Sequence, residues 1–363
     1  MLTKDEIQLN ALNAVVGKKR STAALSMGVG KTLLGLKYIE HFQNVSMYEL
    51  NVLVVAPKKS IFQSWKDEII KHNISKINLD FTTYLSLPKQ NPLYYDIVIL
   101  DECHSILPSS QLFLNKYNGR ILGLTGTPPR NDKSEKGELI NKYCPVVFNY
   151  VTDDAIDNNI LNDYRIIVHK LSLSTVNDIE ISYNGKSFMT SEEKNYRYQT
   201  EKIQNANTQK QKQFASIFRM RALMTFKSKE RYVKTLLSQI EGKCLLFCNT
   251  QEQADKLSNH SYHSNNIKSN ENLQKFKDDE IELLSCVNQL SEGVNIPNLN
   301  CSIIMHSFGN ERKLAQKLGR TLRLSVDEVA TVHVLCYRNT IDEKWVTEAL
   351  KDYKKSKIFF IEA

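Results

Sequence analysis

The chain reads as an α/β protein built in two halves, each a mostly parallel sheet flanked by helices. Three observations predict this. Short runs rich in Val, Ile and Leu recur between charged or turn residues, as strands buried on both faces require. Amphipathic stretches of helical length separate them. The alternation lapses between about residues 131 and 239 and then resumes, so one sheet ends and another begins.

In chain order, the apolar runs at 51–56, 96–100 and 120–124 predict strands of the first half, with a helix over 60–72. The runs at 243–248, 281–287, 301–306 and 331–336 predict strands of the second, with helices over 251–259 and 311–318. The expected boundaries are a first domain over 1–165, a connector over 166–212 and a second domain over 213–363. A length of 363 residues suits two domains of ordinary size.

Apolar residues make up 41% and charged residues 24%, which fits a folded globular protein and excludes a disordered one. The net charge of +8 leans toward an anionic partner. Most of that charge lies in residues 186–231, where eleven basic residues stand against four acidic ones. Two readings of this stretch stay open, a solvated helical face and a contact with a phosphate backbone. Seven cysteines without a Cys-x-x-Cys pair suggest neither a disulfide framework nor a zinc ribbon. With no signal-peptide pattern at the start and no apolar run of membrane-spanning length, the expectation is a cytoplasmic protein with no membrane partner.

The chemistry concentrates in two places. Ala24 to Thr32 is a run of small residues ahead of an apolar helical pattern. Backbone N–H groups of Met27, Gly28, Val29 and Gly30 can turn around a phosphate, Lys31 can reach the β and γ phosphates, and the Thr32 hydroxyl can hold Mg²⁺. Leu25 stands where the strict phosphate-loop pattern has glycine. The second place is Asp101-Glu102-Cys103-His104, directly after a buried run, where α/β sheets bind ligands. Asp101 can hold Mg²⁺ and Glu102 can polarise an attacking water. Standing alone, the tetrad would read as acidic residues ending a strand.

Further motifs give these two a context. Gln8 precedes the phosphate loop, and Val54-Val55-Ala56-Pro57-Lys58 with Trp65, Thr82-Thr83-Tyr84 and Leu124-Thr125-Gly126-Thr127-Pro128 follow in order. The second half carries Leu245 to Thr250, Ser291 to Pro297 and Gln316 to Arg323. In spelling and order these resemble the motifs of superfamily 2 helicases and translocases, with DECH as the DExH-type signature. The resemblance implies two tandem RecA-like domains and an ATP hydrolase using Mg²⁺ held by Thr32 and Asp101. It implies that Gln8 reads adenine and that Gln316 also faces the nucleotide. Lys31, Asp101, Glu102, Arg320 and Arg323 form the catalytic set, the two arginines reaching the γ-phosphate from the second domain so that ATP closes the pair. His104, Thr125 and Thr127 couple the site to motion, and Lys58, Thr82, Thr83, Asn249 and Thr250 touch nucleic acid.

Three positions depart from the family pattern: Lys317 where arginine is usual, Leu322 where glycine is frequent, and Cys103, which excludes the strict DEAD spelling. The resulting expectation is an ATP-dependent motor on nucleic acid, DNA favoured over RNA, with a loading or replication protein as a further partner. The alternatives are a duplex-DNA translocase that remodels or anneals without separating strands, and a nucleotide-gated adaptor that hydrolyses little. The pair His260 and His263 lacks further ligands at metal spacing, and Cys244 and Cys248 read as packing residues.

Overall fold

The computed structural model describes the chain except residues 1, 27, 75–76, 130–132, 159, 161, 184–185, 288–295, 307–327 and 352. Met27, Gln316, Arg320, Arg323 and the helix expected over 311–318 therefore lie outside the described residues.

The chain divides into two compact units, the first ending at Asp163 and the second starting at Tyr164. The first contains α1 (Lys4–Val16), β1 (Arg20–Leu25), α2 (Lys31–Gln43), β2 (Asn51–Ala56), α3 (Ser60–Lys71), β3 (Asn78–Thr83) and β4 (Ile97–Asp101). It continues through α4 (Gln111–Leu114), β5 (Arg120–Thr125), α5 (Glu135–Tyr143), β6 (Val146–Tyr150) and α6 (Thr152–Asp157). The strands lie in the order β3-β2-β4-β5-β1-β6, and every neighbouring pair is parallel. β4 is buried at all five positions and β2 at five of six, as their unbroken apolar sequences require.

β1 has the sequence RSTAAL, whose small polar residues hide it from an apolar-run search. Packing demands them. A Cβ on Gly123 of β5 would lie 2.1 Å from Thr22 Oγ1, while that hydroxyl donates to the Cys144 carbonyl at 2.5 Å. Two larger side chains could not share that space.

The second unit contains β7 (Asp163–Leu171), a hairpin of β8 (Ile179–Tyr183) and β9 (Lys186–Thr190), α7 (Glu192–Gln204), α8 (Gln209–Thr225) and α9 (Lys227–Leu237). β10 (Cys244–Cys248), α10 (Gln251–Leu257), β11 (Ser261–Tyr262), α11 (Ser269–Lys277), β12 (Leu283–Val287) and β13 (Cys301–Ile304) follow. β14 (Val329–Tyr337), α12 (Ile341–Leu350) and β15 (Ile358–Glu362) complete it. The sheet order is β11-β12-β10-β13-β14-β7-β15. The expected connector over 166–212 is thus not a separate piece. It supplies β7, which lies inside the second sheet between β14 and β15, and the whole of α7. β7 alternates buried and partly exposed positions, so it offers no continuous apolar run to a reader of the sequence.

A buried charge pair ties α9 to α12. Lys229 Nζ lies 2.5 Å from Asp342 Oδ2 and donates to the Met305 carbonyl at 3.0 Å, and both charged side chains are almost fully enclosed. Asp342 also accepts from the Tyr337 backbone N–H at 3.1 Å and has His306 Nδ1 3.2 Å from its other oxygen. All seven cysteines are buried and none is in a disulfide, including Cys244 and Cys248 at the two ends of β10. No helix among the described residues is long and apolar enough to cross a membrane.

Removing one member of the buried pair leaves the other charged, enclosed and unpaired, which costs about 3–5 kcal/mol. Lys229→Ala is therefore expected to lower the denaturation midpoint of the second unit sharply in urea, and Lys229→Met with Asp342→Leu to recover much of the loss. Equal midpoints for wild type and Lys229→Ala would contradict this account.

Candidate nucleotide site

The first unit's site forms where β1, β5 and β4 end side by side. Because β5 lies between the other two, the loop after β1 and the acidic tetrad after β4 flank Thr125 at the end of β5. The loop turns through Gly28 and Gly30 at φ +86° and +96°, conformations that glycine adopts without steric cost. Gly30 caps α2, whose first residue is Lys31 and second is Thr32. Open N–H groups and the positive end of the helix dipole therefore face whatever sits over the loop.

Gln8 belongs to α1, which starts in a reciprocal cap between Thr3 and Glu6. It is fully buried, and its Nε2 donates to the Val29 carbonyl at 2.7 Å and the Gly30 carbonyl at 2.8 Å. These bonds orient the amide and leave Oε1 buried with no partner among the described residues. An unmet acceptor at this place fits an exocyclic amine such as adenine's.

At the tetrad, Glu102 sits at φ +47°, a left-handed conformation that costs a non-glycine residue on the order of 1 kcal/mol and here aims its side chain across β5 toward the loop. Lys31 Nζ lies 3.5 Å from Glu102 Oε1, and His104 Nδ1 lies 3.4 Å from Oε2. His104 Nδ1 shares a hydrogen bond of 2.8 Å with Thr125 Oγ1, which also accepts from the Thr127 backbone N–H at 3.1 Å. The residues expected to couple the site to motion are thus joined in one bonded path. Burial works against charge on Glu102, but Lys31 and His104 outweigh it and hold the carboxyl below its ordinary range. Asp101 goes the other way, pushed up to about 6 by burial and then by the neighbouring Glu102 charge. The two neighbouring carboxyls are thus shifted in opposite directions, Glu102 down beside Lys31 and Asp101 up through burial, so that Asp101 gains most from an added cation. That donor set fits Mg²⁺ at Asp101, and Thr32 follows the loop as the second residue of α2.

Asp101 is held by residues whose roles were not legible in the sequence. Trp65 of α3 is fully buried and its Nε1 donates to Asp101 Oδ2 at 2.9 Å. The Tyr84 hydroxyl donates to the Asp101 carbonyl at 2.9 Å. Trp65 reaches its place only because α2 carries Gly35, where a Cβ would come within 2.4 Å of the indole. A glycine inside a helix costs about 1 kcal/mol against alanine, and that cost was the available signal of a close approach.

The positions expected to touch nucleic acid divide by exposure. Lys58 is exposed beyond the end of β2, and Thr83, partly buried, ends the neighbouring β3. Thr82 is buried and its hydroxyl accepts from Gln90 at 3.4 Å. In the second unit Asn249 is buried, and Thr250 caps α10 by accepting from the Gln253 N–H at 3.1 Å. The hydroxyls of Thr82 and Thr250 thus accept a bond inside the protein and keep their own protons to donate. His263 Nε2 lies 2.9 Å from Asp255 Oδ1, and His260 Nδ1 lies 3.4 Å from Asn272 Oδ1.

Because Trp65 orients Asp101 from behind, Trp65→Phe should keep the packing and lose the bond. The Mg²⁺ concentration for half-maximal ATP hydrolysis is expected to rise about tenfold, the usual scale for removing a partner of a metal ligand. A titration of hydrolysis against Mg²⁺ checks this; an unchanged requirement would leave the indole a packing role only.

Comparison with known proteins agrees with this geometry. Residues 2–130 match the family described as type III restriction enzyme, res subunit, and residues 228–325 match the helicase conserved C-terminal domain. The DNA 3'-5' translocase XPB2 of Sulfurisphaera tokodaii is 26% identical over 98% of this chain and 85% of its own. Among solved structures, the type ISP restriction-modification enzyme LlaBIII bound to DNA aligns with a TM-score of 0.64 at 14% identity, over all of this chain and 31% of that one. Saccharomyces cerevisiae Dbp5 bound to RNA and ADP BeF3 aligns at 0.59 and 10%, over 98% and 89%. At such identities the structures speak for the fold, two RecA-like domains. With the two sequence modules in tandem on that fold, and the loop, tetrad and threonines bonded into one site, the chain belongs to the superfamily 2 helicases and translocases, which are ATP-hydrolysing enzymes.

Proposed function

We propose that this enzyme is a motor that moves on DNA, remodelling or unwinding it at the cost of ATP, and that it works in the cytoplasm. The observation that carries the motor reading is the run of close polar contacts from Lys31 through Glu102 and His104 to Thr125 and the Thr127 backbone. A γ-phosphate arriving at Lys31 competes with Glu102 for that ammonium, so the state of the nucleotide is felt along the path. An adaptor with negligible turnover has no use for a buried carboxyl set between Lys31 and His104.

The roles follow from the geometry. Lys31 holds the β and γ phosphates over the glycine loop, and Gln8 Oε1 accepts from the adenine amine. Glu102, the carboxyl shifted down beside Lys31, takes the proton of the attacking water. Asp101 and Thr32 hold Mg²⁺, which when bound neutralises phosphate charge. Arg320 and Arg323 stabilise the transferring phosphoryl group, since a single lysine leaves its charge incompletely matched. DNA rather than RNA rests on the archaeal relative, whose name is that of a DNA translocase. The cytoplasm is supported by seven cysteines of which none is in a disulfide, a state that a reducing compartment preserves. A loading or replication protein completes the proposal as a partner.

Steady-state ATP hydrolysis, alone and with single-stranded, duplex or forked DNA or with RNA at two salt concentrations, tests the reading. Stimulation by DNA that weakens with salt is expected; hydrolysis indifferent to every polymer would sink it. Glu102→Gln should lower turnover on the order of a thousandfold while nucleotide binding persists. Arg323→Ala should do the same by about a thousandfold or more, and near-normal turnover would remove it from the site.

A further inference from the structure

The basic stretch of the second unit carries a feature that the nucleotide site does not use. α8 (Gln209–Thr225) has four cations and no carboxylate in its 17 residues. Its buried face is marked by Ala215 and Leu223. On the opposite side Lys210, Phe214, Ile217, Phe218 and Arg221 recur at helical spacing and are all exposed. Phe214 and Phe218 are each 55% exposed, one turn apart, with Lys210 one turn before and Arg221 one turn after. Two rings left in water and bracketed by cations are not explained by folding, since burying them would be favourable by roughly 1.5–3 kcal/mol each.

The mount beneath them is firm. Thr208 and Gln211 cap α8 reciprocally. Arg219 donates to Thr200 Oγ1 of α7 at 3.3 Å and lies over the Tyr196 ring. The Tyr196 hydroxyl accepts from the Ile341 N–H at 2.9 Å, pinning α7 to the start of α12. One turn earlier, at the N-terminus of α7, Glu192 accepts from the Ser174 N–H at 3.0 Å and from Ser228 N–H and Oγ at 2.9 and 2.6 Å. The stripe is therefore presented on a braced helical hairpin.

We propose that this stripe is a stacking platform for an unpaired nucleic-acid strand, Phe214 and Phe218 taking bases on their faces while Lys210 and Arg221 hold the adjoining phosphates. Charge selects the class of partner, because an acid-free cationic helix favours a polyanion. Exposed rings select single strands, because bases in a duplex already stack on each other. The inference rests on the motor reading and adds to it an element that grips a separated strand outside the ATPase motifs.

The test uses the full chain and fluorescein-labelled oligothymidylate, read by anisotropy without nucleotide, beside a labelled duplex. Phe214→Ala with Phe218→Ala should weaken single-strand binding at least ~10-fold and leave duplex binding and unstimulated hydrolysis near wild type. Tyrosine at both positions should restore binding and leucine should not, since leucine keeps the apolar surface but cannot stack. Single-strand affinity unchanged by the alanine pair, equal loss on duplex, or full binding by the leucine pair would each overturn the proposal. So would a self-association, seen by sedimentation, that the alanine pair abolishes while single-strand binding persists, because the stripe would then join copies of the chain. Polymer-stimulated hydrolysis of the wild type is measured separately. Its absence beside a ring-dependent single-strand affinity would count against the motor reading and leave the platform standing.

Discussion

The hydrogen bond from the Trp65 indole to Asp101 is the contact on which the nucleotide site depends. It places a carboxyl at the end of a strand with no exposed position, where an unsupported charge would be expelled or protonated. Everything around it is arranged to keep that carboxyl oriented. Gly35 clears the space for the indole, Tyr84 holds the Asp101 carbonyl, and Glu102 takes up a left-handed backbone so that its own charge points toward Lys31. The strain at Glu102 is tolerated because the buried strand and its neighbours determine the turn from both sides.

The same logic appears in the second unit with a different purpose. Lys229 and Asp342 are also enclosed charges, but their bonds go to backbone groups of β14 and of the segment after β13, and the pair joins two helices to the sheet. Such a pair adds little net stability against an apolar replacement. It does penalise any packing that separates the partners. One unit thus keeps a buried charge at the end of a strand beside the glycine loop, and the other uses one for registering its elements.

Much of the fold was legible because a parallel sheet covered on both faces writes itself as unbroken apolar runs, as in β2, β4, β10 and β14. The strands that escaped notice have physical reasons. β1 is built of small residues by its close approach to β5, β7 alternates, and β15 leaves most of its side chains exposed. The nucleotide loop and tetrad were legible because backbone N–H groups, a lysine and paired carboxylates must follow strand ends in that order. Trp65 and Tyr84 could be placed in motifs, but their grip on Asp101 spans 36 and 17 residues and leaves no local trace.

The sequence by itself therefore determined the two α/β halves, the chemistry of the nucleotide site and the family, since each is encoded in residue types at short spacing. The tertiary structure alone decided which carboxyl is lowered and which is raised, which threonines already accept a bond within the protein, and that the stretch read as a connector supplies a strand of the second sheet. Those properties come from neighbours distant in the chain, through burial, charge and strand pairing, and no spacing along the chain records them.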